Sequence, residues 1–216
     1  MKQIFGKQVY DSLGEVVSPA HTAILVVDMQ KDFCSPRGYF DKAGFDITPA
    51  QRIMPNIIKL IDEGRKRGAR VVWIQNTTLK EGLSDSPAWL YFKAKIGLVK
   101  PVPYTQEGTW GQEFAEGLEP QPNEPVVKKH RSSGFVSSDL DLILKSNRVE
   151  SVIVCGTVSH GCVEFTARAA LDRGYYVSLA SDCVCSPFPE MHQAVMKRMP
   201  LIFDVITLDE LLTAWG

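Results

Sequence analysis

Four polar side chains stand at or just beyond the ends of short apolar runs, and together they could activate a nucleophile. These residues are Asp28, Asn76, Lys129 and Cys162. A free thiol has a pKa of about 8.5, so most of it is protonated at neutral pH. We expect the charge of Lys129 and the start of a predicted helix at Cys162 to lower that pKa, while Asp28 takes the thiol proton and returns it to a leaving amine.

Each of these residue types also has a purely structural interpretation. A cysteine at a helix start is usually a small core residue, and an aspartate at a strand end is often a cap. A lysine at a strand end is usually a solvated surface charge. Convergence at one sheet edge would favour chemistry, but the spacing alone leaves both interpretations open.

The elements that would position these residues alternate between strand and helix patterns. Continuous apolar runs are typical of strands buried on both faces of a parallel sheet. Six strands are predicted, at residues 21–28, 69–76, 125–129, 151–155, 175–180 and 201–207. Helices are predicted at residues 50–67, 109–118, 138–147, 161–174, 189–199 and 208–215, and residues 77–109 are predicted to be loop-rich.

This order predicts one α/β domain over residues 1–216, with an N-terminal arm at residues 1–20. The architecture expected is a three-layer α/β/α fold around a six-stranded, mostly parallel sheet. In such sheets the ligand site lies beyond the carboxyl ends of the strands. The four polar residues named above all belong to that edge.

Composition excludes several classes of partner. The formal net charge is −1, so no global field attracts nucleic acid or an anionic membrane. No run of about 18 apolar residues could span a bilayer, and the N-terminus lacks the apolar segment of a signal peptide. The five cysteines are an odd number, which indicates reduced thiols and a cytoplasmic protein.

Four segments resemble successive signatures of the isochorismatase-like hydrolases. They are AILVVDMQKDF at 23–33, VVKKHRSSGF at 126–135, VIVCGTVSHGCVEFT at 152–166 and AALDRGYYVSLASD at 169–182. The resemblance runs in order over most of residues 20–210. It implies a Rossmann-like sheet of strand order 3-2-1-4-5-6 and a catalytic triad of Asp28, Lys129 and Cys162. The family's lysine stands six residues before a phenylalanine, which selects Lys129 over Lys128.

The resemblance further implies a cis peptide bond between Thr157 and Val158. The backbone amides of Val158 and Cys162 would then bind a developing oxyanion. The candidate substrate-binding residues are Phe33, Asn76, Trp110 and His160, in a pocket built from residues 34–46, 77–110 and 160–165. Trp89 and Phe92 are further pocket candidates. His160 could act as a base, but we expect it to line the site.

The activity implied by the resemblance is hydrolysis of a carbon–nitrogen bond in a small linear amide, ureide or carbamoyl compound through a thioester, without a cofactor. Nicotinamidases of the family carry a histidine-containing metal cluster after the first strand, and the matching stretch 41–48 has no histidine. We therefore expect no metal. Two features point to different subfamilies. The glycine before the cysteine, Gly161, resembles the residue at that place in carbamoylsarcosine amidases. The GTW stretch at residues 108–110 resembles ureidoacrylate and biuret hydrolases. Family members form dimers and tetramers, so a homodimer or homotetramer is expected.

Three alternatives remain to be weighed. Vinyl-ether hydrolysis of isochorismate belongs to the same family, but members with that activity generally lack the cysteine. A non-catalytic α/β binding protein could keep the same residues. A dinucleotide-binding protein is excluded, because Asp28 and the residues after it stand where a GxGxxG motif would follow the first strand.

Overall fold

The computed structural model describes residues 1–98 and 103–216. The N-terminal arm folds into a small hairpin, β1 (Lys2–Ile4) and β2 (Lys7–Val9), followed by the short helix α1 (Leu13–Val16). Ser12 begins α1 with a capping box, in which its side chain accepts a hydrogen bond from the Glu15 backbone.

The apolar runs form a six-stranded sheet. Its members are β3 (Thr22–Val27), β4 (Arg70–Asn76), β5 (Val126–Lys129), β6 (Ser151–Thr157), β7 (Tyr176–Cys185) and β8 (Asp204–Ile206). They lie in the order β5-β4-β3-β6-β7-β8, and every neighbouring pair is parallel. Counted within this sheet, the order is 3-2-1-4-5-6, as the family resemblance predicts. The α/β class and the parallel sheet are confirmed.

Helices cover both faces of the sheet. In chain order they are α2 (Lys31–Cys34), α3 (Tyr39–Lys42), α4 (Thr48–Arg67), α5 (Pro87–Lys95), α6 (Leu140–Ser146), α7 (Glu164–Leu171), α8 (Pro189–Arg198) and α9 (Leu208–Trp215). The helix α4 ends where Gly68 adopts a left-handed φ of 81°, a conformation that glycine reaches without steric cost.

Residues of the central strand β3 alternate between two hydrophobic cores. Ile24 and Val26 pack in one core with residues of α4 and α9, and Leu25 and Val27 pack in the other with residues of α6 and α7. All six residues of β3 are buried. The alternation follows from the two-residue period of a strand, and it explains why the sequence of β3 is continuously apolar.

Three local predictions are wrong. The helix predicted at 109–118 is only a 3₁₀ turn at Trp110–Gln112. Residues 77–109, predicted to be loop-rich, also contain α5. The helix predicted at 161–174 begins at Glu164, because Ser159–Val163 forms a π-helical turn. The sixth strand is confined to Asp204–Ile206, since Met199–Leu201 forms a 3₁₀ turn. Residues 99–102 of the predicted loop lie outside the described residues.

The strand β7 is longer than predicted. It continues past residue 180 to Cys185, and its pairing with β6 shifts register between Val154 and Gly156. Such a shift accommodates an extra stretch of chain and bends the strand. In the described ranges, no helix is long and apolar enough to cross a membrane.

Candidate active site

The candidate site lies at the carboxyl edge of the sheet. Asp28 follows the last residue of β3, Lys129 is the last residue of β5, and Cys162 lies in the turn between β6 and α7. The strand β4 separates β3 from β5, and its last residue, Asn76, pairs with Lys129. The fold therefore brings together at one edge all four residues that the sequence singles out.

Lys129 contacts both other members of the predicted triad. Its Nζ lies 2.8 Å from Asp28 Oδ2 and 3.1 Å from Cys162 Sγ. The side chains of Lys129 and Asp28 are 0% and 2% exposed. A third contact of Nζ is a hydrogen bond of 3.1 Å to the Arg131 carbonyl. The ammonium group is thus fixed by three acceptors and excluded from solvent.

The neighbouring lysine points the other way. Lys128 pairs with Glu107 at 2.8 Å, and its side chain is 52% exposed. Successive side chains of a strand lie on opposite faces, so only one of two adjacent lysines can enter the site. The structure places Lys129, and not Lys128, beside Asp28.

The backbone around Asp28 is held firmly. Asp28 has a φ of 53°, in the left-handed region that aspartate tolerates better than most residues. Its N–H donates to the Ile74 carbonyl at 2.9 Å. The side-chain amide of Gln30 makes two hydrogen bonds to the backbone of Asn76. Its Nε2 donates to the Asn76 carbonyl at 2.9 Å, and its Oε1 accepts from the Asn76 N–H at 2.8 Å. Among the described residues, Asp28 Oδ1 is buried and has no hydrogen-bond partner.

Burial sets the protonation of the site, and one prediction fails here. Burial, with a further contribution from Asp28, raises the pKa of Cys162 to about 12, although Lys129 opposes the rise. We expected a lowered pKa, and the desolvation of the thiol outweighs the nearby lysine. The Cys162 thiol is therefore protonated at neutral pH.

The charges of the ion pair follow the same physics. Burial raises the pKa of Asp28, and Lys129 opposes that rise. Burial alone would lower the pKa of Lys129, but the Asp28 carboxylate raises it, and the net direction is upward. The resting site thus holds Lys129 Nζ at ion-pair distance from Asp28, beside a thiol whose pKa is raised.

The peptide bond between Thr157 and Val158 is cis, as expected. Just before it, Gly156 has a φ of 115°, and a Cβ there would lie 2.1 Å from the Val27 carbonyl oxygen. Only glycine permits this approach of the β6 and β3 backbones. The two strands that end beside Cys162 and Asp28 are consequently held close together.

A cavity of about 390 Å³ opens above these residues. Phe33, Asn76 and His160 line it, as predicted, together with Asp28 and Cys162. Other lining residues that the sequence segments suggested are Phe40, Trp89, Phe92, Gly161 and Phe165. The side chains that these predicted segments contribute to the cavity are mainly aromatic.

Trp110 is absent from this lining, so its placement in the pocket is wrong. Trp110 is 43% exposed, and Lys31 Nζ lies 5.5 Å from the centroid of its ring. The 3₁₀ turn directs Gln112 inward instead, where its Nε2 donates to Thr77 Oγ1 at 2.9 Å. The turn geometry, which the sequence pattern did not reveal, decides which of the two side chains is buried.

Several contributing residues were not identified from the sequence. Asp32 accepts hydrogen bonds from the backbone N–H groups of Thr105 at 2.6 Å and Tyr39 at 3.0 Å. It thereby positions Tyr104, a pocket residue. The conspicuous DMQKDF stretch was the available signal, because Gln30 and Asp32 stand in it beside Asp28. Phe188 and Met191 also line the cavity, and nothing in their local sequence indicates that role.

His160 is placed as a wall residue. Its Nδ1 lies 3.2 Å from Ser186 Oγ, and its ring meets Phe188 edge-on. Burial lowers the pKa of His160, so its imidazole is neutral at pH 7. Within residues 1–98 and 103–216, no group of three histidine, cysteine, aspartate or glutamate side chains could hold a metal ion.

Comparison with known proteins identifies the family. A sequence profile of the isochorismatase domain matches residues 22–210. The chain is 35% identical over 185 residues to a protein of Azorhizobium caulinodans named ureidoacrylate amidohydrolase RutB, covering 82% of both chains. A protein of the same name from Agrobacterium fabrum is 32% identical over 197 residues, with 87% of this chain and 86% of that one covered.

Solved structures agree. A cysteine hydrolase from Pseudomonas syringae pv. phaseolicola matches with a TM-score of 0.80 and 27% identity, over 93% of this chain and 94% of that one. An isochorismatase-like hydrolase from Alkaliphilus metalliredigens matches with a TM-score of 0.77 and 30% identity, over 90% and 99%. The chain belongs to the isochorismatase family and is a hydrolase. The relatives' names place them among amidohydrolases, which act on carbon–nitrogen bonds other than peptide bonds.

Proposed function

We propose that this protein is a cysteine hydrolase that cleaves the carbon–nitrogen bond of a small amide, ureide or carbamoyl compound through a thioester. The observation that carries the proposal is the contact set of Lys129, which lies 2.8 Å from Asp28 Oδ2 and 3.1 Å from Cys162 Sγ. A buried ion pair costs desolvation energy, so apolar residues at these positions would stabilise the fold as well as the pair does. Its place beside a thiol in a cavity supports a chemical role.

In the first half of the proposed reaction, Asp28 takes the thiol proton while Cys162 Sγ attacks the carbonyl carbon. Asp28 Oδ1 is the acceptor, since Oδ2 is bound by Lys129 and Oδ1 has no partner. The carbonyl oxygen becomes an oxyanion, which the backbone amides of Val158 and Cys162 stabilise. Asp28 then protonates the nitrogen, the C–N bond breaks, and ammonia or an amine leaves.

In the second half, water attacks the thioester and gives its proton to Asp28. The C–S bond breaks, the acid is released, and the proton returns to the thiol. Lys129 stays charged throughout and favours the ionised form of Asp28 between proton transfers, because it opposes the effect of burial on the Asp28 pKa. The chain's own residues suffice for every step, and the partner is a small molecule.

Two further properties belong to the proposal. The five cysteines are all free thiols, which suits a reducing cytoplasm. Exposed apolar side chains at the rim of the cavity, such as Phe165 and Met191, suit a homodimer or homotetramer.

The test is ammonia release from a panel of amides, ureides and carbamoyl acids. Cys162→Ser should keep the fold and lose turnover by more than about 1000-fold, since an alkoxide is far harder to form than a thiolate. Cys183→Ala, which changes a buried cysteine outside the cavity, serves as the control and should retain turnover. Near-wild-type rates in Cys162→Ser would remove that residue from the mechanism. Pyruvate release from isochorismate without ammonia release from any amide would favour the vinyl-ether alternative.

A further inference from the structure

The walls of the cavity differ sharply from its floor. The floor carries the polar side chains of Asp28, Cys162 and Asn76, of which Asp28 and Cys162 react in the proposed mechanism. Seven aromatic residues stand in the walls: Phe33, Phe40, Trp89, Phe92, Tyr104, Phe165 and Phe188. An apolar cavity of about 150 Å³ already holds a benzene ring. The 390 Å³ here therefore leaves room for a ring and the amide attached to it.

The two buried lysines near the cavity in the described part of the chain are already paired. Lys129 is bound to Asp28 and does not itself line the cavity. Lys93 lies behind the Tyr104 ring, 4.8 Å from its centroid, and pairs with Asp85 at 2.8 Å. Both lysines are matched by one carboxylate each, so neither offers a free charge to a bound acid.

Two further basic side chains approach the cavity, and neither offers a charge to its interior. Arg131 stacks behind Trp89, with its guanidinium 5.1 Å from the ring centroid, and its Nη1 donates to the backbone carbonyls of Ser84 and His130. His160 lines the cavity, but burial lowers its pKa and leaves it neutral. The described lining consequently contains no unpaired cation.

The lining formed by residues 1–98 and 103–216 selects against a charged substrate. A carboxylate that enters an apolar site loses its hydration, and without a cation or several donors nothing compensates the loss. An aromatic ring instead gains from burial and from offset or edge-on contacts with other rings. The same cavity therefore favours neutral, apolar groups beside the reacting amide.

We infer that the substrate is an uncharged amide whose non-reacting part is aromatic or branched aliphatic. This inference rests on the proposed cysteine hydrolase function and narrows its substrate class. It also separates this chain from the relatives named ureidoacrylate amidohydrolase, because an acrylate group carries a carboxylate.

The first test compares three amides built on one ring: benzamide, 4-carbamoylbenzoate and the methyl ester of the latter. The ester matches the acid in size and lacks its charge. We expect kcat/KM for the acid to fall below that for the ester by about 100-fold or more. An acid that is hydrolysed as well as its ester, or better, would overturn the inference.

The second test moves a charge into the wall. Phe92 lines the cavity and is 38% exposed on α5, so Phe92→Arg should fold. It should raise kcat/KM for 4-carbamoylbenzoate by about tenfold and lower that for benzamide, since the new cation pairs with the acid. Leu90→Arg is the matched control, because Leu90 is 43% exposed on the same helix and does not line the cavity. It should leave both values unchanged, and equal effects of the two variants would contradict the inference.

Failure of the proposed function looks different. If no amide of any kind is hydrolysed, the cysteine hydrolase proposal fails. Calorimetry can then measure the binding of the same three compounds and still test whether the cavity walls favour uncharged ligands. Tighter binding of benzamide and the ester supports it, and equal or tighter binding of the acid refutes it.

Discussion

Within the described ranges of the chain, two lysine–aspartate pairs are almost completely buried, and they differ in what surrounds them. Both have an N–O distance of 2.8 Å, between Lys129 and Asp28 in one and between Lys93 and Asp85 in the other. The first joins two strands of the sheet across 101 positions of sequence, and the second closes a short segment that ends on α5.

The two pairs differ in whether a carboxylate oxygen is left without a hydrogen-bond partner. Asp28 Oδ1 is buried without a partner, whereas in the described part of the chain neither oxygen of Asp85 is both buried and unpartnered. Lys129 also contacts the Cys162 thiol, while Lys93 faces the Tyr104 ring. Burial and pairing are common to a structural clamp and to a reactive site. A buried carboxylate oxygen without a partner, beside a lysine that also contacts a thiol, distinguishes the reactive site.

The largest expected effect separates the two lysines by activity. Lys129→Ala should lower kcat by more than about 1000-fold, because the loss of the cation raises the pKa of Asp28 and leaves it protonated, unable to take the thiol proton. Lys93→Ala should lower kcat far less, through the position of Tyr104 only. Kinetics on the best amide of the panel, with circular dichroism to check the fold, measure both. Equal losses of kcat in the two variants would contradict the proposal that only the Lys129–Asp28 pair takes part in the reaction.

The second prediction concerns the thiol. Because the pKa of Cys162 is raised to about 12, the thiolate fraction is small at neutral pH. Alkylation of Cys162 by iodoacetamide should be about 1000-fold slower at pH 7 than that of an activated cysteine, and it should rise about tenfold per pH unit without a plateau below about pH 9. Mass spectrometry of the Cys162 peptide follows the rate. A plateau near neutral pH would instead show an anionic thiolate in the free enzyme.

The third prediction concerns the contribution of the Lys93–Asp85 ion pair to stability, and its expected effect is smaller. Lys93→Ala leaves the Asp85 carboxylate buried without its cation, which should cost about 3 kcal/mol of unfolding free energy. Lys95→Ala removes an exposed lysine from the same helix and should change stability by less than about 0.5 kcal/mol. Urea denaturation compares the two. A stable Lys93→Ala variant would mean that the pair contributes nothing to the fold.

The smallest effect is expected at the neighbour of Lys129. Lys128→Ala removes an exposed ion pair with Glu107, so kcat/KM should change by less than about tenfold. The comparison with Lys129→Ala uses adjacent residues of one strand and the same substitution. A severe loss in Lys128→Ala would require the strand to present a different face to the site during turnover.

Much of the site's layout could be predicted because it follows from strand ends. A strand buried on both faces must be apolar until it emerges at the sheet edge, so a carboxylate after β3 and a lysine at the end of β5 are conspicuous. The choice of Lys129 over Lys128 came from the spacing to Phe135 in the resemblance and agrees with the alternation of the strand. Asn76 was found by the same reasoning.

Other features depend on tertiary contacts that no local pattern contains. The sign of the Cys162 pKa shift depends on how completely the surrounding chain excludes water, and desolvation outweighed the lysine. The helix α5 has apolar and charged residues spread around its axis, so its period was not visible, although Ser86 and Pro87 gave a normal helix start. Trp110 was expected in the pocket, but its turn exposes it.

The protonated state of the thiols has a consequence for chemical durability. Peroxides and other oxidants react with thiolates far faster than with thiols. Burial raises the pKa of Cys34, Cys155, Cys162, Cys183 and Cys185, so all five sulfur atoms are kept in their less reactive form. Peroxide should therefore inactivate the empty protein slowly, and oxidative damage should accumulate on surface methionines such as Met191 before it reaches any cysteine.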